Sequence, residues 1–395
     1  MKELRLSEKR ISVCSENILI FAFVLFVVIS ILKTSRIEFA AWQIINRIAI
    51  CISFLLVFVA FLFERHSIKE WSLSLALLII SCLSAYYSGE ALGVLSFSAF
   101  IIAGSIVTSD KVFRAYFYAV IISALIVLLL YGVGFLPHEY MNDEGRFRML
   151  LGFGYPTFLP KYFFSVTMTY LVLKRKEISV YDTIIIMVIN IVLKQLTDTR
   201  AVFYCIVLFL AMCWLLRIMP YLFRTNLFKY FIMLWMPFMM VFSISLPLIY
   251  RKSNDLMYNL NAILSGRLAL GHDAIEKYGL SLFGKEIKWS TGQYGITRFE
   301  EYFYVDSLYL NIALVYGIIV MLLFVVSFTM LGVKAYNENN YMICIVVIII
   351  ALFSFSDPEF FGVKNNPFLI LIGMSILSNK ELLFKYSFRD SKVLT

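Results

Sequence analysis

Charge is scarce in this chain of 395 residues: 15% are Asp, Glu, Lys or Arg, against 61% hydrophobic. A soluble domain carries about a quarter charged residues to cover its surface, so a string of soluble domains is excluded. Cysteine is sparse too. Cys14, Cys51, Cys82, Cys205, Cys213 and Cys344 form no CxxC pair. That argues against a disulfide frame or thiolate metal site and leaves them as small core residues of apolar segments. The three histidines, His66, His138 and His272, are too scattered for a metal cluster, and His138 with Glu139, Asp143 and Glu144 matches no ligand spacing. No P-loop or dinucleotide fingerprint occurs, so neither ATP nor NAD is implied and no cofactor is expected. The basic excess, 35 Lys and Arg against 26 Asp and Glu, sits in short groups between apolar segments. This is the pattern of membrane topology determinants, not of nucleic-acid binding.

Long apolar runs are what the chain does have. A membrane-spanning helix needs about 20 residues, and hydropathy gives twelve candidates near residues 17–32, 41–63, 71–88, 91–108, 115–134, 155–173, 180–195, 201–216, 229–249, 305–331, 341–356 and 366–378. The seventh and the last two are short. The expected fold is all-α, a single integral membrane domain over residues 1–395 with about twelve transmembrane helices. The basic N-terminus precedes a run without a small-residue cleavage site, which reads as a retained first helix. Lys2, Arg5, Lys9 and Arg10, then Lys174, Arg175 and Lys176, then Arg217, Arg224 and Lys229, and finally Lys380, Lys385, Arg389 and Lys392 fall on one side. The positive-inside rule makes that side cytoplasmic, and an even helix count puts both termini there. Two outside loops stand out: residues 135–154, and residues 250–304, where Leu256, Tyr258, Leu260, Ile263, Leu264, Leu268, Ile275 and Leu280 recur at helical spacing. The long loop is therefore expected to hold one or two amphipathic helices.

Four outward arginines attract attention. Arg146 and Arg148 precede the sixth helix, Arg200 opens the eighth and Arg267 lies in the long loop. A guanidinium grips phosphate oxygens bidentately and stays charged at any working pH, but such a side chain also snorkels or pairs with a carboxylate such as Asp198 or Asp143. Asp306, where the tenth helix leaves the long loop, reads either as a helix cap or as a base at the membrane surface. Trp289, Tyr294, Phe299, Tyr302 and Tyr304 read as an interfacial aromatic belt or as a sugar-stacking platform.

These motifs occur in the order of a known family. The chain resembles the bacterial O-antigen and capsule repeat-unit polymerases (Wzy-type) of the O-antigen ligase/polymerase superfamily. Arg148 with Leu151-Gly152-Phe153 and Tyr155-Pro156-Thr157 is similar to that family's Arg-x-x-Leu-Gly-Phe and His-Pro-Asn, with Tyr155 and Thr157 standing in place of His and Asn. Thr199-Arg200 is similar to its Ser-Arg segment, and Ser265-Gly266-Arg267 with Phe283-Gly284 to its Ser-Gly-Arg and Phe-Gly. Val305-Asp306-Ser307-x-Tyr309-Leu310 with Tyr316-Gly317 resembles its closing helix. The matching stretch is residues 146–320.

The resemblance implies transfer of an oligosaccharide from an undecaprenyl-diphosphate donor to a sugar hydroxyl at the outer face of the bacterial plasma membrane, without metal or nucleotide. It implies Asp306, Arg200 and Arg267 as catalytic residues and Arg148, Arg146, His272 and Tyr309 as substrate-binding ones. Membrane lipid, a chain-length regulator and a flippase of the same pathway are the partners it implies. The ligase branch often has His where Asp306 stands, which favours polymerase over ligase. A lipid-linked oligosaccharide flippase or other transporter is the alternative of another class, expected to show charge near mid-helix and internal repeats. A non-catalytic scaffold would leave the outward arginines unexplained.

Overall fold

The computed structural model describes residues 2–39, 41–143, 146–174, 177–290, 303–378 and 382, with backbone alone for residues 2–12, 109 and 143. Arg175, Lys176, Lys380, Lys385, Arg389 and Lys392 of the topology pattern lie outside the described residues, as do Glu144, Tyr294, Phe299 and Tyr302. The protein is all-α, 74% helical. In chain order it runs α1 (Lys2–Leu32), α2 (Trp42–Phe63), α3 (Ile68–Ser88), α4 (Ala91–Gly104), α5 (Ser109–Gly132), the strands β1 (Tyr140–Asp143) and β2 (Arg146–Met149), α6 (Phe158–Lys174), α7 (Val180–Thr197), α8 (Arg200–Ile218) and α9 (Asn226–Ile249). There follow α10 (Asp255–Ile263), α11 (Arg267–Tyr278), α12 (Leu308–Val315), α13 (Ile318–Asn337), α14 (Tyr341–Phe353) and α15 (Leu369–Ile372), which runs into a π turn, Gly373–Leu377.

Among the described residues eight helices are long and apolar enough to cross a membrane: Val13–Leu32 of α1, α2, α3, Asp110–Gly132 of α5, α7, α8, α9 and α13. Their outer faces expose residues such as Leu55, Phe58, Ile79, Ile185, Leu234 and Phe238. Water penalises so much apolar surface and acyl chains do not, which is consistent with a polytopic membrane protein. Local chemistry fixes several boundaries. Ser67 with Glu70 starts α3 and Ser179 with Asp182 starts α7, each as a reciprocal capping box.

Several sequence expectations are corrected. The tenth run, 305–331, is broken into α12 and α13 at Tyr316-Gly317. Gly317 sits at φ +93° and Gly284 at φ +91°, backbone against backbone: a Cβ on Gly284 would lie 1.9 Å from the Val315 carbonyl oxygen, and one on Gly317 2.3 Å from that of Leu282. Lys285 N–H donates to Val315 O, Ile318 N–H to Ser281 O and Ile319 N–H to Leu282 O. The chain after α11 is thereby clamped onto the break. The loop 135–154 contains the β1–β2 hairpin. Of the six cysteines, all free, only Cys205, Cys213 and Cys344 are buried; Cys14, Cys51 and Cys82 lie on exposed helix faces. The fourth and last runs are shorter helices than expected, α4 and α15.

α15 is wholly buried and crosses α4 at two glycines. A Cβ on Gly373 would lie 1.7 Å from the Ile101 carbonyl oxygen, and one on Gly104 2.1 Å from that of Ile370. Because backbone on both sides must move, Gly373→Ala is expected to cost about 3 kcal/mol, read as a lower melting temperature in detergent. An unchanged melting temperature would show that this crossing is loose.

Candidate active site

The candidate residues lie at helix ends and in the segments between helices, except His272 and Tyr309, which lie within α11 and α12. The first group forms around the α7–α8 turn. Asp198 there adopts a left-handed conformation (φ +44°) and accepts from Arg146 Nε at 2.7 Å, while Arg146 Nη2 donates to the Asp198 carbonyl at 3.0 Å. Arg200, at the first position of α8, reaches the same carboxylate only at 3.5 Å and leaves its side chain 63% exposed. Burial opposes ionisation, but Arg146 and Arg200 hold the Asp198 carboxyl below the ordinary range. Arg148 is buried, donating from Nε to the Thr197 carbonyl at 2.9 Å, with its guanidinium 5.8 Å from the centre of the Tyr155 ring. The expectation of an open phosphate-binding Arg148 is thus corrected: its exposure is 6%, and it ties β2 to the α7–α8 turn. Leu151 and Gly152, both at positive φ, turn the chain back so that Arg36 N–H donates to Gly152 O and Gly154 N–H to Thr34 O. The Leu-Gly-Phe element therefore pins the hairpin to the end of α1.

The second group joins the long loop to α12. Gly266, at φ +80°, precedes α11, and Asn261 Oδ1 of α10 accepts from Leu268 N–H and Ala269 N–H, each at 3.0 Å. The free N–H groups of α11 are satisfied in this way, and Arg267 is fixed at the helix's first position. From there its Nε donates to Asp306 Oδ2 at 3.1 Å across 39 residues of sequence. Both side chains are about 30% exposed, at 30% and 29%. The cap of α12 is Ser307, whose hydroxyl accepts from Leu310 N–H. Asp306 is therefore not the helix cap. His272, on α11, is held through Nδ1 to the Pro247 carbonyl at 3.0 Å. Tyr309 is corrected outright as a substrate contact: it is 0% exposed, and its hydroxyl donates to the Ala351 carbonyl at 2.9 Å. Glu139 pairs with Arg36 at 2.8 Å and His138 packs on Tyr131; Glu144 and the Asp143 side chain lie outside the described residues.

A third group was missed in the sequence. Lys161 of α6 pairs with Asp357 at 2.9 Å and Lys364 with Glu359 at 2.8 Å. Asn365 Nδ2 donates to Glu359 Oε2 at 3.2 Å. Both ammonium groups lie 5.5 Å from the centre of the Phe158 ring. Although burial opposes it, Lys364 and then Lys161 hold the Glu359 carboxyl down at about 2, whereas burial pushes that of Asp357 up. The signal was a lone lysine in an otherwise apolar run, together with Asp357-Pro358-Glu359 between two short helices.

These groups are continuous. Tyr155, which faces Arg148, lies 6.2 Å ring to ring from Phe158, and Leu308 N–H, two residues after Asp306, donates to Ser354 O at 2.8 Å, three residues before Asp357. Each group sets guanidinium or ammonium cations beside carboxylates. Such pairs can stabilise an anion as it develops and accept a proton beside it. Compared with protein-family models, with curated proteins and with solved structures, the chain finds no match.

Proposed function

We propose that the protein is a polysaccharide polymerase of the Wzy type, transferring oligosaccharide repeat units from an undecaprenyl-diphosphate donor to a sugar hydroxyl of the acceptor at the outer face of a bacterial plasma membrane. The observation that carries this reading is the Arg267–Asp306 contact, in which two motifs of the resemblance, distant in sequence, meet as cation and carboxylate. In the reaction the anomeric C–O bond to the diphosphate breaks and a glycosidic bond to the acceptor oxygen forms. Asp306 takes the proton of that hydroxyl. Charge builds on the departing undecaprenyl diphosphate, and Arg267 and Arg200 stabilise it more in the transition state than in the ground state. Arg146 and Arg148 hold the turn that presents Arg200. Neither metal nor nucleotide takes part.

The topology belongs to the same proposal: twelve membrane segments, counting the shorter α4, α6, α14 and α15 with its π turn and the broken α12–α13, both termini cytoplasmic, and residues 250–304 outside. In a protein freed of its native cysteines, Ser290→Cys is expected to react with an impermeant thiol reagent in intact spheroplasts. Labelling only after lysis would place the whole site on the wrong face.

Transport of the same lipid-linked oligosaccharide is the second reading, and one observation favours it. Lys161, Asp357, Glu359 and Lys364 form a mostly buried charged group beside α14, which at 13 residues rises about 20 Å where a bilayer core is about 30 Å thick. Charge beside discontinuous helices is also how transporters build their sites. Deleting the gene and sizing the surface glycan separates the readings. Single repeat units on the surface mean polymerase, full-length unattached polymer means ligase, and lipid-linked units trapped in the cytoplasmic leaflet mean transporter.

A further inference from the structure

The lysine–carboxylate group deepens the functional proposal and rests on it. A buried ion pair is weak evidence of stability, because well-packed apolar residues commonly serve as well or better. Here two such pairs share one aromatic ring, and they are not sealed. The side chains of Asp357, Lys364 and Glu359 are 15%, 20% and 24% exposed, and Lys161 lies deeper at 5%. The segment that carries them is held rigidly: Tyr116 donates to the Lys364 carbonyl, Ser165 to the Asn365 carbonyl, and Asn366 to the Phe360 carbonyl. Asn365 is fully buried with its Nδ2 on Glu359, yet its Oδ1 has no partner among the described residues.

We propose that Lys364 and Lys161, which share the Phe158 ring, form the subsite that takes the diphosphate of the polyprenyl-linked donor. In the empty state Glu359 and Asp357 hold the two ammonium groups in position and neutralise them. On binding, the diphosphate oxygens replace Glu359 as the partner of Lys364, the more open of the two, while Lys161 stays on Asp357 and adds its charge from below. The Tyr155–Phe158 contact places this subsite beside Arg148 and the α7–α8 turn that it holds, from which Arg200 projects.

The test is the affinity of undecaprenyl diphosphate, with undecaprenyl phosphate as comparison, for the purified protein in lipid nanodiscs. Wild type is expected to prefer the diphosphate. Lys364→Gln is expected to weaken diphosphate binding roughly tenfold to hundredfold, the loss of one charge-assisted contact, and Lys161→Gln to weaken it several-fold. Glu359→Gln, which frees Lys364 from its competitor, is expected to tighten binding several-fold, a direction that a purely structural role does not produce. It also keeps the proposal open to test if Lys161→Gln fails to fold. Unchanged affinity in both lysine variants, or weaker binding in Glu359→Gln, overturns the subsite while leaving the polymerase reading intact. Wild type without affinity for undecaprenyl diphosphate overturns both.

Discussion

Arg267→Lys is expected to slow glycan chain growth almost as far as Arg267→Ala, by about 10²–10³. Arg267 bonds Asp306 through Nε, and this is its one side-chain hydrogen bond among the described residues. The planar fork can therefore keep Asp306 in place while its Nη edge faces a phosphate. An ammonium is a point charge and cannot reproduce that divided geometry. If Arg267 served only to neutralise Asp306, lysine would suffice, and growth at the wild-type rate in Arg267→Lys at matched abundance would establish this. Arg200 is more open and has only long contacts to Asp198, so the same comparison there reads its phosphate contact with little disturbance of the fold.

Asp306→Asn is expected to abolish polymerisation, by about 10²–10⁴ if proton transfer is its whole contribution, while abundance and melting temperature stay normal. Ser307 caps α12, so removing the Asp306 charge takes no cap away. The Asn side-chain oxygen can still accept from Arg267 Nε, while the negative charge and the proton-accepting capacity are lost. Normal chain lengths from this variant would move the base elsewhere. His272 is the next residue to test: if its Nδ1 carries the proton donated to Pro247 O, its Nε2 is left as an acceptor.

Much of the fold was legible because it is local. Apolar runs mark the long helices, Ser67 with Glu70 and Ser179 with Asp182 mark helix starts, and helical spacing within residues 250–304 marks α10 and α11. What could not be read is set by distant partners. Hydropathy carries straight through Gly317, and the break there exists because Gly284 packs against it. The hairpin at residues 140–149 pairs Asp143 with Arg146 around Glu144-Gly145, which is not one of the Asn-Gly or Asp-Gly pairs that announce a hairpin in a sequence. In the site, the motifs supplied Arg267 and Asp306 separately, but their contact joins residues 39 apart in sequence and is made only in the fold. Tyr309 stands in a matching motif yet bonds Ala351, since α12 is buried on every side by neighbours distant in sequence. Lys161 was hidden by its own surroundings: one charge barely lowers the hydropathy of a long window, and its partner Asp357 comes from the far end of the chain.

The most direct measurement of the central claim uses lipid-linked repeat units accumulated by a deletion strain, supplied to the purified protein in nanodiscs containing excess EDTA. The expected result is a ladder of longer lipid-linked glycans with release of undecaprenyl diphosphate, lost in Asp306→Asn and Arg267→Ala. The absence of a ladder from the wild-type protein, with the same protein in liposomes carrying the lipid-linked units across the bilayer unchanged, would contradict the enzyme reading and make the protein a transporter.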